Sequence, residues 1–123
     1  MNDLEGFARS MIARSALSNT QLWDLTRIAA SLAFEFPESM IYHAGRNRTA
    51  ARAKSAITHF CVRIGGIKQT TLGTITAGGR QNVIWHLRRH KQMLEEDDAE
   101  YTRLYARMLR QILKLAEDYE YKN

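Results

Sequence analysis

Basic side chains are concentrated in the middle of the chain, and their distribution points to recognition of a polyanion. Residues 39–94 contain ten lysines and arginines and no aspartate or glutamate, whereas both flanking segments carry a net negative charge. Solvated surfaces of ordinary domains mix both signs of charge. A stretch of this length without a carboxylate therefore indicates a nucleic acid or another polyanionic partner. The alternative is a basic surface without a dedicated ligand.

A second group of candidate residues follows the glycines at positions 78 and 79. In the major groove of DNA, the amides of Gln and Asn can pair with adenine, and arginine can contact guanine. Gln81 and Asn82 carry such amides, and Arg80 precedes them. Val83, if it points outward, can touch a thymine methyl group. The alternative for either amide is capping of the helix that begins here.

Further basic and polar residues are expected to contact the minor groove or the phosphate backbone. Arg46 and Arg48 flank Asn47 in a loop, and arginines suit the negative potential of a narrow minor groove. Contacts to phosphate supply affinity and register but no choice of sequence. The candidates for such contacts are Lys54, Lys68, Gln69, Thr70, Arg88, Arg89 and Lys91.

Enzymatic chemistry and metal binding have little support in the sequence. Residues 64–70 are superficially similar to a phosphate-binding loop, but they lack the G-x-x-x-x-G-K-[ST] spacing and a preceding strand. His86 and His90 stand four residues apart, which could place two metal ligands on one helix. No cysteine or carboxylate accompanies them at metal-binding spacing. We therefore expect a protein that is not an enzyme and has no cofactor and no metal.

Length, hydropathy and cysteine content indicate one globular domain over residues 1–123, located in the cytoplasm. The chain is 45% hydrophobic and 25% charged. No run approaches the roughly 18 apolar residues of a membrane span, and the first residues lack a signal-peptide core. The single cysteine, Cys61, cannot form an internal disulfide, which agrees with a reducing compartment. We expect Cys61 to be a buried apolar residue rather than a reactive thiol.

The spacing of apolar residues predicts an all-α fold. The predicted helices cover about residues 4–12, 20–36, 50–64, 70–75, 81–94 and 97–120. The glycines at 65 and 66 end the third helix, and Pro37 ends the second. The fourth and fifth helices, joined by a short turn with two glycines, form a helix-turn-helix pattern within residues 40–94.

The predicted inward faces decide which side chains remain available for a ligand. The second helix has the apolar stripe Leu22, Leu25, Ile28, Ala29, Leu32 and Phe36. The fifth helix is expected to contact the core through Ile84, Trp85, Leu87 and Leu94. On the third helix, Arg52, Lys54 and Arg63 are expected to point away from the core.

The last predicted helix, residues 97–120, has the clearest amphipathic pattern. Asp97 and Asp98 can cap its N-terminus. Its stripe consists of Tyr101, Leu104, Tyr105, Met108, Ile112, Leu115 and Tyr119. The simplest role of this stripe is packing against the rest of the domain. The alternative is the interface of a homodimer or of a protein partner.

Five short runs between residues 34 and 91 match the pattern of one known family. They are Phe34-x-x-Pro-Glu-x-x-Ile-Tyr, Arg46-Asn-Arg-Thr-Ala-Ala-Arg-Ala-Lys-Ser-Ala, Leu72-Gly, Gly78-Gly-Arg and His86-Leu-Arg-Arg. In these runs the chain resembles the C-terminal DNA-binding domain of the bacterial replication initiator DnaA. The resemblance covers under half of the chain. It implies a Trp-repressor-like helix-turn-helix core at residues 19–94, with extra N-terminal and long C-terminal helices.

The same resemblance implies binding of double-stranded DNA. In the family a loop arginine enters the minor groove, and Arg48 is its best match. The chain departs from the family signature Asp-His-Ser/Thr-Thr, because residues 81–84 are Gln-Asn-Val-Ile. The resemblance therefore implies duplex binding rather than the family's usual target sequence.

The biological role implied by the resemblance is a DNA-binding regulator of transcription or an accessory factor of replication. The chain has no counterpart of the family's ATPase domain. We therefore expect a stand-alone relative encoded by a phage or a mobile element.

Two other functions stay open at this point. A protein interaction module could keep the fold and use the acidic C-terminal helix. RNA binding is less favoured, because recognition of single strands uses exposed aromatic side chains. The basic stretch offers Tyr42, Phe60 and Trp85, and the last two are expected to point inward.

Overall fold

Every regular element in the described part of the computed structural model is helical, which confirms the predicted all-α class. The structure describes the backbone of residues 2–122 and the side chains of residues 3–118. The helices are α1 (Asn2–Ser15), α2 (Asn19–Phe34), α3 (Arg48–His59), α4 (Gln69–Ile75), α5 (Gly79–Glu95) and α6 (Ala99–Lys122). A 3₁₀ turn, Glu38–Met40, follows α2, and a π-helical turn, Phe60–Ile64, continues α3.

Side-chain caps set several of these helix boundaries. Ser18 and Gln21 form a capping box at the start of α2, and Asp98 accepts a hydrogen bond from the backbone N–H of Tyr101 at the start of α6. Asn47 accepts one from the backbone N–H of Ala50, so α3 begins two residues earlier than predicted. The end of α2 is set by Glu35, which adopts the left-handed conformation with a φ of 52°.

The long C-terminal helix packs its apolar stripe inside the chain. Tyr101, Tyr105, Met108 and Ile112 are fully buried, and α6 packs mainly against α1 and α2. Leu104 and Leu115 are half-buried at the edges of the stripe, and Tyr119 lies outside the described side chains. The stripe predicted from the sequence therefore contributes to the core of the chain itself.

The inward face of α2 differs from the prediction. Ile28 and Leu32 are largely exposed, whereas Thr26, Ala30 and Ala33 are buried. The Thr26 hydroxyl donates a hydrogen bond to the carbonyl of Leu22 within the helix, which satisfies this buried polar group. Small and internally hydrogen-bonded side chains therefore occupy part of the buried face of α2, and two large apolar side chains lie outside it.

Two histidines of α5 occupy core positions against α3. The hydroxyl of Ser55 and Nδ1 of His86 lie 2.9 Å apart, and the rings of His59 and His90 stack with their centroids 3.8 Å apart. Nδ1 of His90 also lies 2.6 Å from the hydroxyl of Tyr101, which connects this contact to α6. One ring nitrogen of each histidine therefore has a hydroxyl partner on another helix, whereas Nε2 of His90 is buried without a hydrogen-bond partner.

Arg52 was expected to point away from the core, and that prediction is wrong. Its guanidinium is buried, lies 2.7 Å from the carboxylate of Asp98 and is 5.6 Å from the centre of the Tyr101 ring. Asp98 is 46 residues away in sequence, so no local pattern showed this counter-charge. One of the ten cations of the basic segment is therefore structural.

None of the helices in the described part of the chain is long and apolar enough to cross a membrane.

The buried histidines predict a loss of stability in weak acid. Burial lowers the pKa of His86 to about 4 and that of His90 to about 3, and the charges of Lys54 and His59, respectively, lower them further. In the unfolded chain a histidine has a pKa of about 6.5, so the unfolded state binds protons first as the pH falls. Stability should be constant above about pH 7.5 and should fall by about 2 kcal/mol per histidine at pH 5.

Urea denaturation followed by circular dichroism between pH 5 and 8 measures this loss. His86→Gln is the informative variant, because it removes one titrating group and leaves a side chain that can still bond to Ser55. We expect its pH-dependent loss to be smaller than that of the parent by about 2 kcal/mol. A parent protein equally stable at pH 5 and pH 7.5 would contradict the prediction.

Candidate nucleic-acid interface

Helices α4 and α5 approach each other so closely that one position on α4 must lack a side chain. A Cβ atom on Gly73 would lie 2.6 Å from the carbonyl carbon of Gly79 and 2.7 Å from the backbone nitrogen of Arg80. Residues 76–78 connect the two helices, with Ala77 at a φ of 61° and Gly79 at a φ of 79°. The glycine at 73 and this tight turn hold α4 against the first turn of α5.

Helix α5 has one buried face and one exposed face. The buried face consists of Val83, His86, Leu87, His90 and Met93. The exposed side chains are Arg80, Gln81, Asn82, Trp85, Arg88, Lys91, Gln92 and Glu95. Among these, positions 81, 85, 88 and 92 recur at three- or four-residue spacing and form one stripe along the helix, which we call the outward stripe. The exposed face of α5 contains no carboxylate before Glu95.

Two predictions about α5 are wrong, and they have the same cause. The thymine contact proposed for Val83 required this residue to point outward, but it is only 3% exposed, whereas Trp85 was expected inward and is 52% exposed. His86 and His90 take core positions because Ser55 and Tyr101 bond to them. This rotation brings Val83 to the core and turns position 85 outward. Ile84, also expected inward, is half-buried.

The two amides at the start of α5 are exposed and are not helix caps. Gly78 is the N-cap residue, and no side chain hydrogen-bonds to the free N–H groups of the first turn. Asn82 folds back over Gly78, where a Cβ atom would lie 2.7 Å from its Nδ2 atom. The capping alternative for Gln81 and Asn82 is therefore wrong, and both side chains face solvent.

The basic residues at the start of α3 lie on the same side of the α3–α5 contact as these amides. Ser55 pairs with His86 and His59 with His90 at one constant sequence offset of 31, so the two helices run in the same general direction. Each begins seven residues, or about 10 Å along its axis, before the Ser55–His86 pair. The starts of α3 and α5 therefore lie at the same end of this helix pair.

Arg46 and Arg48 are both exposed at this end, but only Arg46 lies in the loop. Arg48 was expected in the loop as well and is instead the first residue of α3, because Asn47 caps the helix. The pKa of the Asp98 carboxyl is lowered, first by the hydrogen bond from Tyr101 N–H and further by Arg52 and Arg48. The charge of Arg48 is thus close enough to Asp98 to act on it.

Some of the remaining candidate side chains are exposed, and others contact neighbouring side chains. Lys68, Thr70 and Arg88 are exposed, and Gln69 is half-buried at the start of α4. Lys54 is half-buried, with its ammonium 5.9 Å from the centre of the Tyr42 ring. Arg89 donates a hydrogen bond to the Gln92 side chain, and Lys91 lies 3.9 Å from Glu95. The exposed and unengaged cations among the candidates are Arg46, Lys68, Arg80 and Arg88.

The described residues contain no group of three or more histidines, cysteines or carboxylates that could hold a metal ion. His86 and His90 do share one face of α5, as their spacing indicates, but that face is buried. Their Nδ1 atoms face the hydroxyls of Ser55 and Tyr101. Their arrangement is that of packed core histidines.

Trp85 is the surface residue that the sequence analysis missed. Val83, Leu87 and His90 recur at helical spacing, which places position 85 on the opposite face only if His90 is a core residue. The sequence does not show that burial, because the partner of His90, Tyr101, lies on another helix.

No family model matches the chain, and neither the curated proteins nor the solved structures contain a match.

The close approach at Gly73 predicts a position that does not tolerate even a methyl group. Gly73→Ala should lower the free energy of unfolding by about 1–3 kcal/mol, because backbone atoms of Gly79 and Arg80 would have to move. The matched control is Gly6→Ala in α1, where a Cβ would meet nothing within 4 Å. This control should be stabilising by about 0.5–1 kcal/mol. Urea denaturation measures both, and equal stability of the two variants would contradict the packing described here.

Proposed function

We propose that the protein binds double-stranded DNA, with α4 and α5 acting as a helix-turn-helix and the start of α3 acting as a basic arm. The observation that supports this proposal is the composition of the exposed face of α5. Over residues 80–92 this face carries amides, cations and one tryptophan, and no carboxylate. An α-helix of this kind fits the major groove, where amides and guanidinium groups pair with base edges.

The proposed division of labour follows from position along the helix. In a helix-turn-helix, the N-terminal residues of the second helix contact base edges. Gln81 and Asn82 occupy this position and are assigned to base reading, with Arg80 beside them. Arg88 and Arg89, two turns further on, are assigned to phosphates, which fix affinity and register.

The basic arm adds contacts on a second part of the duplex. Arg46 and Arg48 are assigned to the minor groove, whose narrow form attracts arginine. Lys68 and Thr70 at the start of α4, with Gln69 beside them and Lys54 at the surface of α3, are assigned to the phosphate backbone. Arg52 takes no part, because it is buried against Asp98.

We further propose a Trp-repressor-like core and a relationship to the C-terminal domain of DnaA. Supporting this are the close crossing of α4 and α5 at Gly73 and the basic segment that leads into α3. In this view the protein is a stand-alone regulator of transcription or an accessory factor of replication, without catalytic activity.

The main competing function is a protein interaction module that uses α6. Burial within the chain leaves little of the apolar stripe of α6 exposed for a partner. Four large residues of the α6 stripe are fully buried within the chain. Single-stranded nucleic acid is recognised by exposed aromatic side chains, and Trp85, which was expected to point inward, is exposed. Tests of duplex binding should therefore include single-stranded DNA and RNA as competitors.

Salt dependence is the first test of the proposal. The affinity for a duplex, measured by fluorescence anisotropy, should fall steeply between 50 and 200 mM salt, because phosphate contacts release counterions. With about five such contacts, the slope of log affinity against log salt should be about −4 to −5. Arg88→Ala should reduce the slope by about 1 unit, whereas Arg110→Ala on α6 removes the same charge and should leave it unchanged. No binding at 50 mM salt, or tighter binding to single strands, would overturn the proposal.

The assignment of base and phosphate contacts is tested by comparing sequences. Gln81→Ala and Arg48→Ala should reduce discrimination between a preferred duplex, selected from a random library, and an unrelated one by about 5- to 100-fold. Arg89→Ala should weaken binding to both duplexes by a similar factor. If Gln81→Ala instead behaves like Arg89→Ala, the base-reading assignment is wrong while duplex binding stands.

A further inference from the structure

An exposed tryptophan lies in the middle of the outward stripe of α5, between polar and charged side chains. Trp85 is 52% exposed, with Gln81 one turn before it and Arg88 one turn after it. Tryptophan is a large apolar side chain that contributes most when it is covered. A position between the proposed base-reading amides and the proposed phosphate-binding arginines suggests that DNA covers it.

A contact with the neighbouring ring of His86 restricts the orientation of the Trp85 side chain. Its ring is nearly perpendicular to that of His86, with the centroids 4.9 Å apart. His86 is itself held in the core by Ser55. Trp85 also lines a shallow depression of about 400 Å³ together with Arg88, Arg89 and Gln92. The ring thus packs on a fixed neighbour and presents its remaining surface beside two cations.

We infer that Trp85 packs against the methyl group of a thymine in the major groove and so helps to choose the DNA sequence. The inference rests on the proposed function. The thymine methyl is the apolar group that base pairs display in this groove, and apolar side chains contact it. Val83, the residue expected to make such a contact, is buried. Trp85 is the one large apolar side chain that the described part of α5 leaves exposed.

Replacement of thymidine by deoxyuridine tests the contribution of the single methyl group. Deoxyuridine pairs like thymidine but lacks the methyl group. In the duplex selected from a random library, one such replacement should weaken binding of the parent protein about 3- to 5-fold, the effect of uncovering about one methyl group. The same replacement should change binding of Trp85→Ala by less than 1.5-fold. Trp23→Phe is the control and should keep the full effect.

Fluorescence of Trp85 supplies a second readout that does not depend on a variant at the contact. The chain has two tryptophans, so Trp23→Phe leaves Trp85 as the single one. Trp23 is half-buried on α2, where its indole N–H donates a hydrogen bond to the hydroxyl of Tyr42, and circular dichroism should show that the variant stays folded. Its emission should change on addition of the duplex and should saturate at the affinity measured by anisotropy.

The outcomes separate this inference from the proposed function. If the duplex binds with the expected salt dependence but every deoxyuridine replacement is neutral, or Trp85 emission stays constant, the thymine contact is wrong and duplex binding stands. If the emission changes more strongly with single-stranded DNA, which also binds more tightly, Trp85 stacks on unpaired bases and both proposals are wrong. If no nucleic acid binds at 50 mM salt, both fall together.

Discussion

The contact between α3 and α5 determines which side chains of α5 face outward in the proposed interface. Ser55 with His86 and His59 with His90 fix the rotation of α5 about its axis. Once these positions are buried, the helical repeat of 3.6 residues turns Gln81, Trp85 and Arg88 outward. The same contact brings the starts of both helices to one end of the pair. A binding surface needs recognition residues whose positions are fixed by the packing beneath them, and the buried α3–α5 contact supplies such packing.

The close crossing of α4 and α5 constrains the start of α5, at the same end of the helix pair. Because Gly73 has no side chain, α4 can rest on the backbone of Gly79 and Arg80. The first turn of α5 is therefore held in place although no side chain caps it. The amide side chains of Gln81 and Asn82 on this turn are exposed, and they belong to the region that we assign to DNA.

The separation of basic and acidic residues along the chain contributes to the packing of the domain and to the proposed binding surface. The carboxylates outside the basic segment lie largely on α1, α2, the turn before α6 and α6 itself. One of them, Asp98, is used to neutralise buried Arg52 and to cap α6, so it connects α3 to the C-terminal helix. The burial of the α6 stripe then completes the core. The basic residues are left to α3, α4 and α5, whose sequence has no acidic residue before Glu95, although Asp98 lies close enough to Arg48 for the two charges to interact.

The sequence by itself determined the all-α class, the approximate helices, a cap at Asp97 or Asp98 and the charge pattern, because these depend on local spacing and composition. It could not show that Arg52 is buried, since its partner Asp98 is 46 residues away. Nor could it show that His86 and His90 are core residues, since their partners Ser55 and Tyr101 lie on other helices. Only the tertiary structure decided that Trp85 is outside and Val83 inside, because burial of a polar residue depends on partners that folding brings together.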